Sequence, residues 1–158
     1  MAYPRGFKFR RAVPMSCLRI PVPNRAKVLL VEDSKFLRIA NERALHKAGY
    51  EVSTAADGEE ALRVASDNLP DVILLDMMIP RISGPEVLRA LKANPTTLGI
   101  PVIVLSSLSQ RNEEKLLHEG AAAYFEKDSL ELHKNSDRLA AAVESVLGRL
   151  RREKVRNS

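Results

Sequence analysis

Three short runs of unbroken apolar residues, each closed by a polar side chain, constrain this chain more than any other feature. Val28-Leu29-Leu30-Val31 leads into Glu32 and Asp33, and Val72-Ile73-Leu74-Leu75 leads into Asp76. Val102-Ile103-Val104-Leu105 leads into Ser106 and Ser107. A fourth, weaker run, Ala123-Tyr124-Phe125-Glu126, leads into Lys127. A strand that is apolar at every position has no side to show water. Both faces of its sheet must be covered, which is the condition of a parallel sheet with crossover helices.

The stretches between the runs supply those helices. Leu37, Ala40, Ala44, Leu45 and Ala48 recur at helical spacing, with Ser34 placed to cap the start and Gly49 just past the end. Glu51 to Ala55 reads as a strand, and Asp57-Gly58 turns into a short helix carrying Ala61, Leu62 and Ala65. Gly84-Pro85 opens a helix that buries Val87, Leu88 and Leu91, with proline at its favoured first position, and Pro95 closes the region. The next strand is expected over Ile100 to Leu105, a helix from about Gln110 to Glu119, and a strand over Ala121 to Glu126. A last helix turns Leu139, Val143, Val146, Leu147 and Leu150 inward. Five strands alternating strictly with five helices make an α/β doubly wound parallel sheet.

The net charge of +5 hides its own distribution. Residues 1–27 hold seven basic groups and no acid, and the stretch from Arg149 onward carries a net +4, which leaves −6 for the segment between. An acidic body argues against a nucleic-acid-binding domain with a basic face. Residues 1–26 contain Pro4, Pro14, Pro21 and Pro23 and lack periodicity, so they read as a disordered basic extension. Residues 27–150 read as the folded domain and 151–158 as a basic C-terminal tail. No apolar core follows the first positive charges, which excludes a signal peptide, and no apolar run approaches the ~20 residues of a membrane span. The single cysteine, Cys17, excludes an intramolecular disulfide and fits a reducing, cytoplasmic setting.

In a parallel sheet the strand ends meet along one edge, where open α/β sheets bind their ligands. Glu32, Asp33 and Asp76 would emerge there together and repel each other unless a hard divalent cation, Mg²⁺, neutralised them. A hydroxyl at Ser106 and an ammonium at Lys127, on neighbouring strand ends, complete a site suited to a phosphoryl group.

The stretches Val-Glu-Asp-Ser at 31–34, Leu-Leu-Asp-Met-Met-Ile-Pro at 74–80, Gly84, Val-Leu-Ser-Ser at 104–107 and Lys127 stand in order, each at a strand end or turn. Through them the chain resembles the receiver (CheY-like) domain of two-component response regulators, over residues 27 to about 150. The resemblance implies a flavodoxin-like (βα)5 fold with strand order 2-1-3-4-5. It implies a single-domain response regulator in a phosphorelay, with no DNA-binding domain after it. Asp76 would be the phosphoacceptor, charged by a histidine kinase or phosphotransfer protein. Asp33, Asp76 and the backbone carbonyl of Met78 would hold Mg²⁺, with Glu32 acting through water. Ser106 would bond a phosphoryl oxygen, with Ser107 the lesser candidate, and Lys127 would pair with the phosphoryl group. Tyr124 matches the aromatic switch position. The surface of the fourth helix, fifth strand and fifth helix would then change for a downstream protein whose identity is unknown. A phosphorylation-dependent dimer, through the last helix or the face around Arg111 and Glu114, stays open.

Two departures from the family pattern carry consequences. Asp128 stands where proline usually follows the lysine, leaving the Lys127–Asp128 peptide bond cis or trans. Met78 and Leu108 flank the site with apolar side chains that cannot orient water, so self-dephosphorylation is expected to be slow. No enzymatic activity beyond Mg²⁺-dependent self-phosphorylation and that slow reversal is expected. A flavin carrier of similar topology needs a Ser/Thr/Gly-rich phosphate loop where this chain has Glu32-Asp33-Ser34, and an aspartyl hydrolase usually places a second acid where this chain has Met78. A degenerate receiver with a constitutive partner is disfavoured by the intact acids.

Overall fold

A computed structural model of the chain describes residues 25–107, 113–127 and 132–158, with side chains from Ser136 onward in the last segment. Residues 1–24 of the extension expected to be disordered over 1–26, the start of the helix expected from Gln110, and the Leu108, Arg111 and Asp128 positions lie outside the described residues.

Strands β1 (Lys27–Val31), β2 (Glu51–Ala55), β3 (Val72–Asp76), β4 (Val102–Ser106) and β5 (Ala123–Glu126) form one sheet in the order β2-β1-β3-β4-β5. Every pairing is parallel, with Val31 opposite both Ala55 and Leu75, and Asp76 opposite Leu105. Helices α1 (Lys35–Lys47), α2 (Gly58–Asn68), α3 (Gly84–Ala93), α4 (Glu113–His118) and α5 (Leu132–Arg156) alternate with the strands.

The continuous apolar runs behave as a two-faced sheet requires. Leu29, Val31, Ile73, Leu75, Val102 and Val104 enter a core with Val64, Val87, Leu88, Leu91 and Leu116 of α2, α3 and α4. The residues between them, Val28, Leu30, Leu74, Ile103 and Leu105, enter a second core with Leu45 of α1 and Leu139, Val143, Val146 and Leu147 of α5. Two-residue alternation along each strand thus feeds two separate cores.

Helix ends follow local chemistry. The Ser34 hydroxyl accepts from the Leu37 N–H, Asp57 accepts from the Glu60 N–H, and Ser83 forms a capping box with Glu86. Gly49 takes a φ of +97° just past α1, and Gly120 one of +109° past α4. Boundaries differ slightly from expectation. β4 starts at Val102, because Ile100 closes the preceding turn on the Thr97 carbonyl, and β5 starts at Ala123. α5 continues past Leu150 to Arg156, since Arg151 to Val155 contain neither glycine nor proline to stop it.

Candidate functional site

Each acid of the site hangs on a central strand. The Glu32 N–H donates to the Ala55 carbonyl at 3.0 Å, continuing the ladder one step past β1. The Glu32 side chain then lies only 1% exposed. Its Oε1 accepts from the Ser34 N–H at 3.2 Å, and Asp33, the next residue, remains exposed. Asp76 ends β3, which is buried along its whole length, and is itself 5% exposed. One carboxylate oxygen from each of Glu32, Asp33 and Asp76 lies within 4.8 Å of the others.

Lys127 reaches this cluster from beyond β5. Its backbone N–H donates to the Ser106 carbonyl at 2.8 Å. Its Nζ donates to Asp76 Oδ2 at 2.7 Å and also to Glu32 Oε2. Burial alone would draw this ammonium down, but the hydrogen bonds to Asp76 and Glu32 outweigh it and hold the group above its ordinary pKa. Burial pushes the Glu32 carboxyl up, against the Lys127 contact that favours its charged form. Three carboxylates against one ammonium leave negative charge uncompensated in a mostly buried place, and the donors are all hard oxygens. That donor set fits a divalent cation of the Mg²⁺ type.

Ser106 ends β4 in a buried position and lines a cleft of about 320 Å³ together with Met77, Met78, Ser83 and Leu116. The Met78 N–H donates to Asp76 Oδ1 at 3.0 Å, so this loop's backbone lies against the Asp76 carboxylate, while Met78 itself is 64% exposed. Tyr124 is half-buried and packs against the core of α2, α3 and α4.

The loop after Asp76 is held by contacts that spacing alone does not announce. A Cβ on Gly84 would lie 2.5 Å from the Met77 Cα and 2.6 Å from the Asp76 carbonyl oxygen, so only glycine lets α3 start this close to the site. A Cβ on Gly58 would lie 2.3 Å from the Ile82 carbonyl oxygen. Between these two approaches Arg81 takes a φ of +67°. Its guanidinium reaches Asp57 at 3.5 Å and Glu59 at 2.9 Å, tying the strained turn to α2. Arg38 is a further residue that sequence reasoning passed over: its Nη1 donates to the carbonyls of Glu32 at 2.8 Å and Asp33 at 3.3 Å. Its place as one charged residue among several along α1 gives no hint of that contact.

The family model for the response regulator receiver domain matches residues 28–143. The chain belongs to that family. This receiver domain is 43% identical over 123 residues to the gliding motility regulatory protein of Myxococcus xanthus, covering 77% of this chain and 15% of that protein. It is 42% identical over 103 residues to the response regulator PleD of Caulobacter vibrioides, covering 65% of this chain and 23% of PleD. The receiver thus spans well under half the length of these relatives. Among solved structures, the chemotaxis response regulator CheY4 of Vibrio cholerae superposes with a TM-score of 0.69 at 32% identity, covering 77% of this chain and 98% of that one. A Francisella receiver domain gives 0.70 at 30% identity, covering 80% and 99%. The flavodoxin-like order expected from the sequence is the one observed. Among the described residues no helix is long and apolar enough to cross a membrane.

Proposed function

We propose that this receiver is a phosphorylation switch in which Asp76 accepts a phosphoryl group from a phosphohistidine of a histidine kinase or phosphotransfer protein. The observation that carries the reading is the meeting of Glu32, Asp33 and Asp76 at the sheet's carboxyl edge, with the Lys127 ammonium on two of them. An Asp76 carboxylate oxygen attacks phosphorus, the P–O bond of an acyl phosphate forms, and the P–N bond to the donor imidazole breaks with its electron pair leaving on nitrogen. Asp33, Asp76 and the Met78 carbonyl would hold Mg²⁺, with Glu32 acting through water, and the ion would supply neutralisation of the phosphoryl oxygens.

The chain's own groups do the rest by position. The Met78 N–H orients the Asp76 carboxylate, and the Lys127 ammonium, already on Asp76, meets the incoming negative charge. Modification replaces one carboxylate charge with about −1.5 to −2. Lys127 then leans toward the phosphoryl oxygens, the Ser106 hydroxyl bonds another of them, and Tyr124 turns into the space released. The face of α4, β5 and α5 is thereby altered for a downstream protein. The exposed thioether of Met78 offers attacking water no strong hydrogen-bond partner, which favours a long-lived acyl phosphate.

Intact mass after incubation with acetyl phosphate and Mg²⁺ tests the reading. Wild type should gain about 80 Da once, the mass of a single phosphoryl group, and Asp76→Asn should gain nothing. No gain in either would leave a binding module with a constitutive partner.

A further inference from the structure

We infer that Arg38 is a positioning residue for the cation site, acting through the backbone of the loop that carries Glu32 and Asp33. The inference rests on the cation reading above. Arg38 lies in the second turn of α1, and side chains on a helix lean toward its N-terminus, here toward the loop that precedes it. One guanidinium nitrogen spans two successive carbonyls, 2.8 Å from Glu32 O and 3.3 Å from Asp33 O. The first of these bonds is part-buried and charge-assisted, the stronger kind.

The direction of these bonds gives Arg38 its role. A guanidinium bonded to the carboxylates would neutralise them and compete with a metal ion. Arg38 instead takes the carbonyls, and the carboxylate Oε2 of Glu32 and Oδ2 of Asp76 go to Lys127. Two successive peptide units are thereby pinned from the α1 side while the Ser34 N–H holds Glu32 Oε1. Asp33 needs this more than its neighbours. Its side chain is exposed, so its carboxylate is placed by the backbone beneath it rather than by packing. Three like charges within 4.8 Å push that loop apart, and the Arg38 bridge resists the push without removing the charge. Outer partners that orient metal ligands typically account for 10–100-fold in affinity. Arg38 belongs in that class although it touches no carboxylate of the site.

The test is calorimetric titration of Mg²⁺ into wild type, Arg38→Met, Arg38→Gln, Arg38→Lys and Asp33→Asn, with urea unfolding of each variant in the absence of metal. Arg38→Met and Arg38→Gln should bind Mg²⁺ about tenfold more weakly. Arg38→Lys, which keeps charged donors, should recover most of that loss. A purely structural role would lower the urea midpoint and leave the Kd of the folded fraction alone, so that result overturns the inference. So does a Kd for Arg38→Met and Arg38→Gln within twofold of wild type, while Asp33→Asn abolishes binding and upholds the cation site itself. Absence of Mg²⁺ binding by wild type would overturn the cation reading and this inference with it.

Discussion

The centre of the sheet and its β5 edge are built to different standards, though both reach the same site. β1, β3 and β4 are buried at nearly every position and packed on both faces. β5 is half-buried at Ala123, Tyr124 and Phe125 and exposed at Glu126. The acids stand on the centre, and Lys127 and Tyr124 stand on or just past the edge. Chemistry at a carboxylate needs oxygens that stay in place, and close packing provides that. A switch needs elements that move at small cost, and those come from sparsely packed regions. On the proposed reading, one strand order meets both needs, with Asp76 in the middle and Lys127 and Tyr124 on the flank.

The sharpest way to break this comparison is a matched truncation. Leu74→Ala, in the fully buried centre, should cost about 4 kcal/mol, whereas Leu116→Ala in α4 should cost about 2. Urea unfolding reads both, and equal losses would remove the distinction. Next in size is Gly84→Ala. Its Cβ would meet backbone atoms at 2.5 and 2.6 Å, which side-chain adjustment cannot relieve, so a loss of about 2–3 kcal/mol is expected. The same variant should take up phosphoryl more slowly, because the clash displaces the loop lying against Asp76.

A smaller effect concerns the bond between helices on the other face. The Ser136 hydroxyl donates to Asn41 Oδ1 at 2.9 Å in a buried contact between α5 and α1, and Ser136→Ala should cost about 1–2 kcal/mol. Hydrogen exchange should show α1 loosened and β3 untouched. The smallest effect is a pH dependence at the start of α3. The Ser83 hydroxyl and backbone N–H hold the Glu86 carboxyl below its ordinary 4.5. A depressed acid contributes stability that is complete above about pH 4.5 and fades as pH falls through its lower folded value. Glu86→Gln should remove that term, so urea midpoints of the two proteins should converge on acidification. A constant gap across pH 4.5 would refute it.

The strands, the five acid, hydroxyl and lysine positions, and the helix starts at Ser34 and Asp57 were legible because each depends on residues near one another in the chain, while the strand order came from the family resemblance. Apolar runs declare buried strands, and a parallel sheet brings their ends to one edge whatever lies between. The ends of elements were less legible. α5 runs to Arg156 although its inward leucines and valines stop at Leu150, because apolar spacing marks where a helix packs and not where it stops.

What the sequence determined by itself, then, was the architecture, the family, and which side chains gather at the carboxyl edge. Only the tertiary structure decided how they are held: Lys127 divided between Glu32 and Asp76, Arg38 on two backbone carbonyls, and Gly84 pressed against the loop that follows Asp76. Arg81, which carries φ +67° between Asp57 and Glu59, belongs with these. The physical reason is range. Hydrophobic periodicity acts between residues a few positions apart and leaves its mark on the chain. Close approach and hydrogen bonding to backbone depend on distances between segments, which the order of residues does not contain.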